Sequence, residues 1–413
     1  MKKTIATYYA NMCNGGIQRV ISMLIPEWIK GGNKVILFTD EFASKDDYPI
    51  DTKEEILRIV LPSDTKDGYV KRNEILSRSI KEHNIDVMIF HLWMNENVTN
   101  DRELFNSFHI PFVLYTHAVF SYVYLENSKF TNKYIEELIK ADAVITLTDI
   151  SKSFYEILGC DTYLVDNPIL LPKKTISCNK KSSTTILWIG RFCNQKKPCE
   201  AIEIFKELKY KIPDVNMIMV GKGEEENKVK KLIKKYKLEN DIKLVGYDKD
   251  VEKYYAQSRF LLMTSYYEGY SMIIVEAMAY GIPIAMYDLS YLPTVQFNKG
   301  LVSCNQGDRT AIVNECIKFL SDEAYYEKMC RLASDSINKK IQELNLKNTW
   351  NDIFDTITIK NKDITNEGKV IEVLINHIQY GYEEEICKIK KSKSYKIGNM
   401  IINIPKKIIN IFK

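Results

Sequence analysis

Two glutamates eight positions apart, Glu268 and Glu276, bracket EGYSMIIVE within Thr264–Met286. Glu268 falls in what reads as a loop at a strand's end. Glu276 falls on the second turn of a helix opening at Ser271, whose Ile274 and Met278 face inward. A rise of 1.5 Å per residue separates the carboxylates by about 8–12 Å, roughly the reach from the sugar to the ribose of a nucleotide sugar. Between them, the N–H groups near Gly269, Tyr270 and Ser271 open a helix and suit a diphosphate, and Gly269 admits close backbone approach. The plain alternative is a solvated helix carboxylate at Glu276 and an ordinary loop acid at Glu268.

Three further stretches carry candidate chemistry. In WIGRFCNQKKP, Trp188–Pro198, a strand ends at Gly190, and Arg191 and Lys196 follow on the loop before the next helix. Two fixed cations there can neutralise a diphosphate leaving group as its charge grows; the alternative is two ordinary surface cations among 58 basic residues. In NMCNGGIQRVISMLIPEW, Gly15 and Gly16 open a helix whose Ile17, Val20, Ile21, Leu24 and Trp28 share one face. A glycine pair at that point is a phosphate or sugar approach site, or simply a tight turn. Pro26 is expected to kink or end this helix. In LYTHAVF, His117 follows a strand, either beside a ligand or as a satisfied structural histidine.

The elements that must position these residues alternate. Strand-like runs occur at Thr4–Tyr8, Lys34–Thr39, Ile85–Phe90, Phe112–Tyr115 and Ala143–Leu147, mostly with helical patterns between. The proline- and lysine-bearing segment Asp166–Ser183 reads as a linker. The pattern restarts at Thr185–Ile189, Asn216–Val220, Ile242–Val245, Phe260–Thr264 and Pro283–Met286, and a Trp-bearing helix around Leu346–Ile357 closes it. Such alternation predicts two α/β, doubly wound, Rossmann-like domains whose strand carboxyl ends face a cleft. The boundaries expected are 1–170 for the first, acceptor-side domain, 171–184 for the linker and 185–345 for the second, donor-binding domain. A closing helix at 346–360 and an extension at 361–413 complete the chain.

Composition bounds the rest. The 413 residues are 45% hydrophobic and 27% charged, an ordinary globular balance. Nine cysteines form no CxxC and no zinc spacing, and five histidines are scattered, so reduced thiols and no metal cluster are expected. No apolar run reaches the roughly 20 residues that span a bilayer, and Met1–Met12 lacks a signal-peptide core, so a cytoplasmic protein is expected. Net charge is +4, yet Lys388–Lys413 holds eight lysines and no acid, leaving 4 − 8 = −4 for the preceding 387 residues. Within that tail Ile397, Met400, Ile401, Ile404, Ile408, Ile411 and Phe412 recur every three or four positions, broken by Pro405. A basic amphipathic segment suits an anionic membrane face; the alternative is a terminal helix packed on the core. No aromatic stacking platform or binding module accompanies the lysines, so nucleic acid is not the expected partner.

Taken together, Lys3–Ile357 resembles the retaining glycosyltransferases of family four, which have the GT-B architecture. The resemblance is carried first by EGYSMIIVE with AMAYGIPI, an E-x7-E signature, and then by GRFCNQKKP, VGKGEEE at Val220–Glu226 and DNPI at Asp166–Ile169. It implies that Arg191 and Lys196 hold the donor diphosphate, Glu276 the ribose hydroxyls and Glu268 a hydroxyl of the donor sugar. Backbone N–H groups of Gly269, Tyr270 and Ser271 would join them, Gly15 and Gly16 would pass close to the diphosphate and sugar, and His117 would lie beside the sugar ring. The catalytic set implied is Glu268, His117, Arg191 and Lys196. The implied substrate is a nucleotide-diphosphate sugar, a UDP-sugar foremost, with no cofactor and no metal, in keeping with the lack of a DxD-type acidic pair in a suitable loop. Tails of this kind resemble those of bacterial enzymes of surface polysaccharide synthesis. They imply a saccharide or lipid-linked acceptor and a cytoplasmic protein peripheral to the inner face of the membrane. Two departures stand out: Gln18 where many relatives have Glu, and Lys197 where Gly often follows the lysine. Other readings are a catalytically silent GT-B protein that binds a glycan or chaperones a partner, and a GT-B sugar-nucleotide epimerase.

Overall fold

In the computed structural model, residues 2–13, 15–63, 68–92, 95–118, 131–169, 183–289 and 299–359 are described. The first region runs β1 (Thr4–Tyr8), α1 (Gly16–Lys30), β2 (Lys34–Thr39), β3 (Leu57–Val60), α2 (Val70–His83), β4 (Val87–Leu92), α3 (Val98–Ser107), β5 (Phe112–Thr116), α4 (Thr131–Lys140), β6 (Ala143–Thr146), α5 (Asp149–Ile157) and β7 (Thr162–Leu164). Its strands form one parallel sheet in the order β3-β2-β1-β4-β5-β6-β7. The second runs β8 (Thr185–Ile189), α6 (Pro198–Lys211), β9 (Asn216–Val220), α7 (Glu226–Tyr236), β10 (Ile242–Gly246), α8 (Glu252–Gln257), β11 (Phe260–Met263), α9 (Met272–Ala279), β12 (Ile284–Tyr287), β13 (Leu301–Cys304), α10 (Arg309–Ser321) and α11 (Glu323–Glu343). Its parallel order is β10-β9-β8-β11-β12-β13. A last helix, α12, covers Leu346–Thr356.

Both sheets are covered on two faces, so their central strands are buried along their whole length. FVLYT of β5 and FLLM of β11 have no exposed position, which is why they read as unbroken apolar runs rather than alternating ones. Strand order reverses between β1 and β4 in the first sheet and between β8 and β11 in the second. At such a reversal the following helices leave to opposite faces and open a crevice beyond the carboxyl ends. The loops after β8 and β11 hold Arg191, Lys196 and Glu268, and those after β1 and β5 hold Gly15 and His117.

Pro26 does not end its helix, and the placement of the closing helix is corrected. The first helix runs through Pro26 to Lys30 without ending there. The one hydrogen bond lost at proline is offset by burial of Ile25, Pro26 and Trp28, with Trp28 edge-on against Trp350 at 5.1 Å and Phe354 at 6.1 Å. The same contacts place α12 on the first sheet rather than on the second it was expected to close. Asn351 also accepts from Asn33 at 2.9 Å. Trp350 and Phe354 supply an apolar stripe that matches the one on α1. The seven cysteines described carry no disulfide. Among the described residues no helix is long and apolar enough to cross a membrane. The tail Lys388–Lys413 lies outside the described residues.

Candidate active site

A cleft of about 580 Å³ lies between the two sheets, within the range of small-molecule sites. All ten candidate positions line it: Gly15, Gly16, His117, Arg191, Lys196, Glu268, Gly269, Tyr270, Ser271 and, on α9, Glu276. The geometry therefore brings together every site residue expected from the sequence.

The loop after β8 is held by glycines of the neighbouring β9 loop. A Cβ on Gly221, whose φ is +140°, would stand 1.9 Å from the Gly190 carbonyl oxygen, and one on Gly223 would stand 2.4 Å from that of Phe192. Only glycine lets these two backbones meet, which accounts for the VGKG stretch. The Phe192 N–H donates to the Lys222 carbonyl at 2.9 Å and fixes the loop that carries Arg191. Arg191 is exposed into the cleft, and its charge opposes the burial that raises the Tyr9 hydroxyl of the first domain to about 12. Lys197 caps α6 with φ +47°, the left-handed region that glycine occupies without strain. Its ammonium reaches Gln306 Oε1 at 3.2 Å and the Tyr266 ring at 4.8 Å.

Lys196 and Glu268 meet: Nζ is 2.5 Å from Oε1, and Ser265 Oγ donates to the same oxygen at 2.5 Å. Glu268 is 6% exposed, so it is no ordinary loop acid. Glu276 is buried too, at 1% exposure, which excludes the solvated helix carboxylate. Tyr255 Oη donates to its Oε2 at 2.9 Å, and Arg19 Nη1 lies 3.0 Å from Oε1. Burial raises the Glu276 carboxyl above its usual range, while the Arg19 charge and the Tyr255 hydrogen bond pull it back.

Gly269 is required for a reason other than ligand approach alone. A Cβ there would stand 2.2 Å from the His117 carbonyl oxygen, so the loop after β11 abuts the loop after β5 backbone to backbone. Tyr270 and Met272 extend the contact by packing into the apolar cluster of α1, α12 and the first sheet. Asn167 of the DNPI stretch is 2% exposed, accepts from Tyr115 Oη at 3.2 Å and donates to Met272 Sδ at 3.6 Å. Gly15 and Gly16 open α1 without a side-chain cap, and a Cβ on Gly16 would meet nothing within 4 Å. That leaves the first-turn N–H groups of α1 on the cleft wall, oriented for an anion. Gln18 is turned to Asn11 Oδ1 at 2.9 Å.

His117 is not alone. Its Nε2 is 2.8 Å from His91 Nδ1, and His91 Nε2 is 3.0 Å from Thr7 Oγ1. Burial lowers His117 to about 3, and burial with the neighbouring His117 lowers His91 well below the usual range. Both rings are neutral near pH 7 and form a file from β1 through β4 to β5. Arg19, Tyr255 and His91 were absent from the sequence-based set. His91 carried a signal, standing at the carboxyl end of a strand as His117 does; the other two acquire meaning only from partners distant in the chain.

Residues 173–335 match the family model described as glycosyl transferases group 1. The chain is 25% identical over 357 residues to an uncharacterized glycosyltransferase of Haemophilus influenzae, covering 83% of this chain and 98% of that one. It is 30% identical over 177 residues to the amylovoran biosynthesis glycosyltransferase AmsD of Erwinia amylovora, a match that spans 42% of this chain and 49% of AmsD. Among solved structures it resembles Anabaena HepE in complex with UDP-glucose, with a TM-score of 0.69 at 16% identity over 86% of this chain and 99% of that one. The chain thus has the GT-B fold, and its second sheet lies within the segment that matches the group 1 glycosyl transferases.

Proposed function

We propose that this protein is a retaining, metal-independent glycosyltransferase of family four. It moves a hexose from a nucleotide-diphosphate sugar, a UDP-sugar foremost, to a saccharide or lipid-linked acceptor in bacterial surface polysaccharide synthesis. The observation that carries the reading is the convergence of Lys196, Glu268, Arg191 and Glu276 with the α1 and α9 N-termini on one interdomain cleft. The relationship to AmsD supports the polysaccharide setting, and the likeness to HepE bound to UDP-glucose supports the donor class.

In this reading Arg191 and Lys196 take the diphosphate and stabilise it as the glycosidic bond breaks, Glu276 accepts the ribose hydroxyls, and Glu268 accepts a sugar hydroxyl. The acceptor hydroxyl attacks from the leaving group's side through an oxocarbenium-like state, and the leaving phosphate takes its proton. Catalysis is then positioning and charge stabilisation. Gly269, Tyr270 and Ser271 bring backbone N–H groups to the diphosphate, and the neutral His117 lies beside the sugar. The basic segment Lys388–Lys413 holds the protein to the anionic inner face of the cytoplasmic membrane, each lysine contributing about 1 kcal/mol.

The test is a thermal-stabilisation screen of the purified full chain against UDP- and GDP-sugars. A ligand at a hundredfold excess over its Kd stabilises by about 2.7 kcal/mol, a rise of several degrees. The expected result is a rise with one donor that Lys196→Ala and Glu276→Ala both abolish. Equal stabilisation of both variants and wild type would refute the site.

A further inference from the structure

Glu276 sits on α9 of the second domain, yet the cation beside it comes from the first. Arg19 lies on α1, one turn beyond Gly15 and Gly16, and its Nη1 is 3.0 Å from Glu276 Oε1. The two side chains are 15% and 2% exposed, and both residues line the cleft. The surroundings are otherwise phenolic. Tyr255 donates to Oε2 and stacks on Tyr280 at 5.1 Å, while Tyr48 of the first domain lies 6.0 Å from the Arg19 guanidinium. Glu252 acts on Tyr280, and Tyr247 on Tyr48.

A buried carboxylate without a counter-charge is driven toward its protonated form. That form is the wrong partner for a vicinal diol, because it must donate one of the hydrogen bonds it should accept. An ionised carboxylate has about four acceptor positions. Tyr255 takes one on Oε2, Arg19 faces Oε1 as a counter-charge while that oxygen accepts no hydrogen bond within the described residues, and capacity remains for two hydroxyls.

We propose that Arg19 is a positioning residue for donor binding: it supplies from the first domain the counter-charge that fits Glu276 to accept both ribose hydroxyls of the nucleotide. The inference rests on the assignment of Glu276 to the ribose. It makes the nucleotide site bipartite, since the carboxylate is competent only while the first domain is closed against the second. An interdomain strut of purely structural value would have no effect on discrimination at the ribose or on its pH dependence.

The experiment measures Kd for UDP and for 2′-deoxy-UDP on the full chain between pH 5.5 and 8.5, with GDP and 2′-deoxy-GDP used instead if UDP does not bind. Taking the ratio of the two Kd values cancels titration of the nucleotide's own phosphate. Wild type is expected to prefer the ribonucleotide about tenfold or more, evenly from pH 6 to 8. In Arg19→Met the preference is expected to collapse at pH 6 and recover as pH rises, while Arg19→Lys, which keeps a cation, restores it. An unchanged, pH-independent preference in Arg19→Met would overturn the inference, as would a loss of binding equal for both nucleotides. Failure of the ribose assignment looks different: Glu276→Gln would then keep the wild-type preference for UDP over 2′-deoxy-UDP.

Discussion

The ammonium of Lys196 lies 2.5 Å from Oε1 of Glu268, the oxygen that also accepts the Ser265 hydroxyl. The cation proposed for the diphosphate and the carboxylate proposed for the sugar therefore balance one another at the end of β11. They are also tied through the backbone, because Thr264 Oγ1 donates to the Lys196 carbonyl at 2.8 Å. The pair is mostly buried, with side chains 17% and 7% exposed, so neither charge is well hydrated without the other.

Lys196→Ala is expected to lower turnover by about 10²–10³, the usual loss when one preorganised charge-stabilising group is removed. It should also destabilise the fold by about 1–3 kcal/mol, because Glu268 is left buried without its cation. Adding Glu268→Gln to Lys196→Ala should restore most of the melting temperature and none of the turnover. A double variant that melts below Lys196→Ala would show that the pair is not the source of the stability.

The histidine file predicts a pH dependence of a definite sign. His117 and His91 both titrate below the ordinary histidine value in the folded state, so the unfolded chain takes up protons first as pH falls. Their neutral burial costs nothing above about pH 6.5 and destabilises progressively below it, by about 2 kcal/mol per ring at pH 5. Melting curves from pH 8 to 5 should fall steeply for wild type and less steeply for the His91→Asn, His117→Asn double variant. Parallel curves would contradict the burial of two neutral rings.

The glycines make contrasting predictions. Gly269→Ala pushes a methyl group to 2.2 Å from the His117 carbonyl oxygen, a backbone atom that cannot swing aside. It should destabilise by about 1–3 kcal/mol and weaken donor binding together, because the interdomain contact has to open. Gly16→Ala meets nothing within 4 Å, so its melting temperature should stay near wild type while nucleotide affinity falls. Equal melting temperatures for the two variants would refute the close approach at Gly269.

Much of this was legible in the chain. The central strands were placed within two residues of their observed ends, since burial on both faces writes them as continuous apolar runs. The strands missed were β3, β7 and β13, and each stands at a sheet edge. LRIV, TYL and LVSC are short and partly exposed, so they carry neither a long apolar run nor clean alternation. The site followed the same division. Glu268, Glu276, Arg191 and Lys196 were visible because local spacing around strand ends marks them. Arg19 on Glu276, and His91 on His117, depend on how two sheets face and how strands order, which no window of sequence contains. Burial of both glutamates was likewise invisible, because hydrophobicity patterns treat every carboxylate as a surface group.

The docking of Trp350 onto Trp28 also sets how this molecule can move. Because α12 returns to the first sheet, the polypeptide passes between the two lobes twice, once after β7 and again after α11. Asp166, at the start of one passage, and Lys340, in the helix before the other, form an ion pair at 2.8 Å. Two covalent crossings bound how far the lobes can separate, and any parting of them takes Arg19 on α1 away from Glu276 on α9.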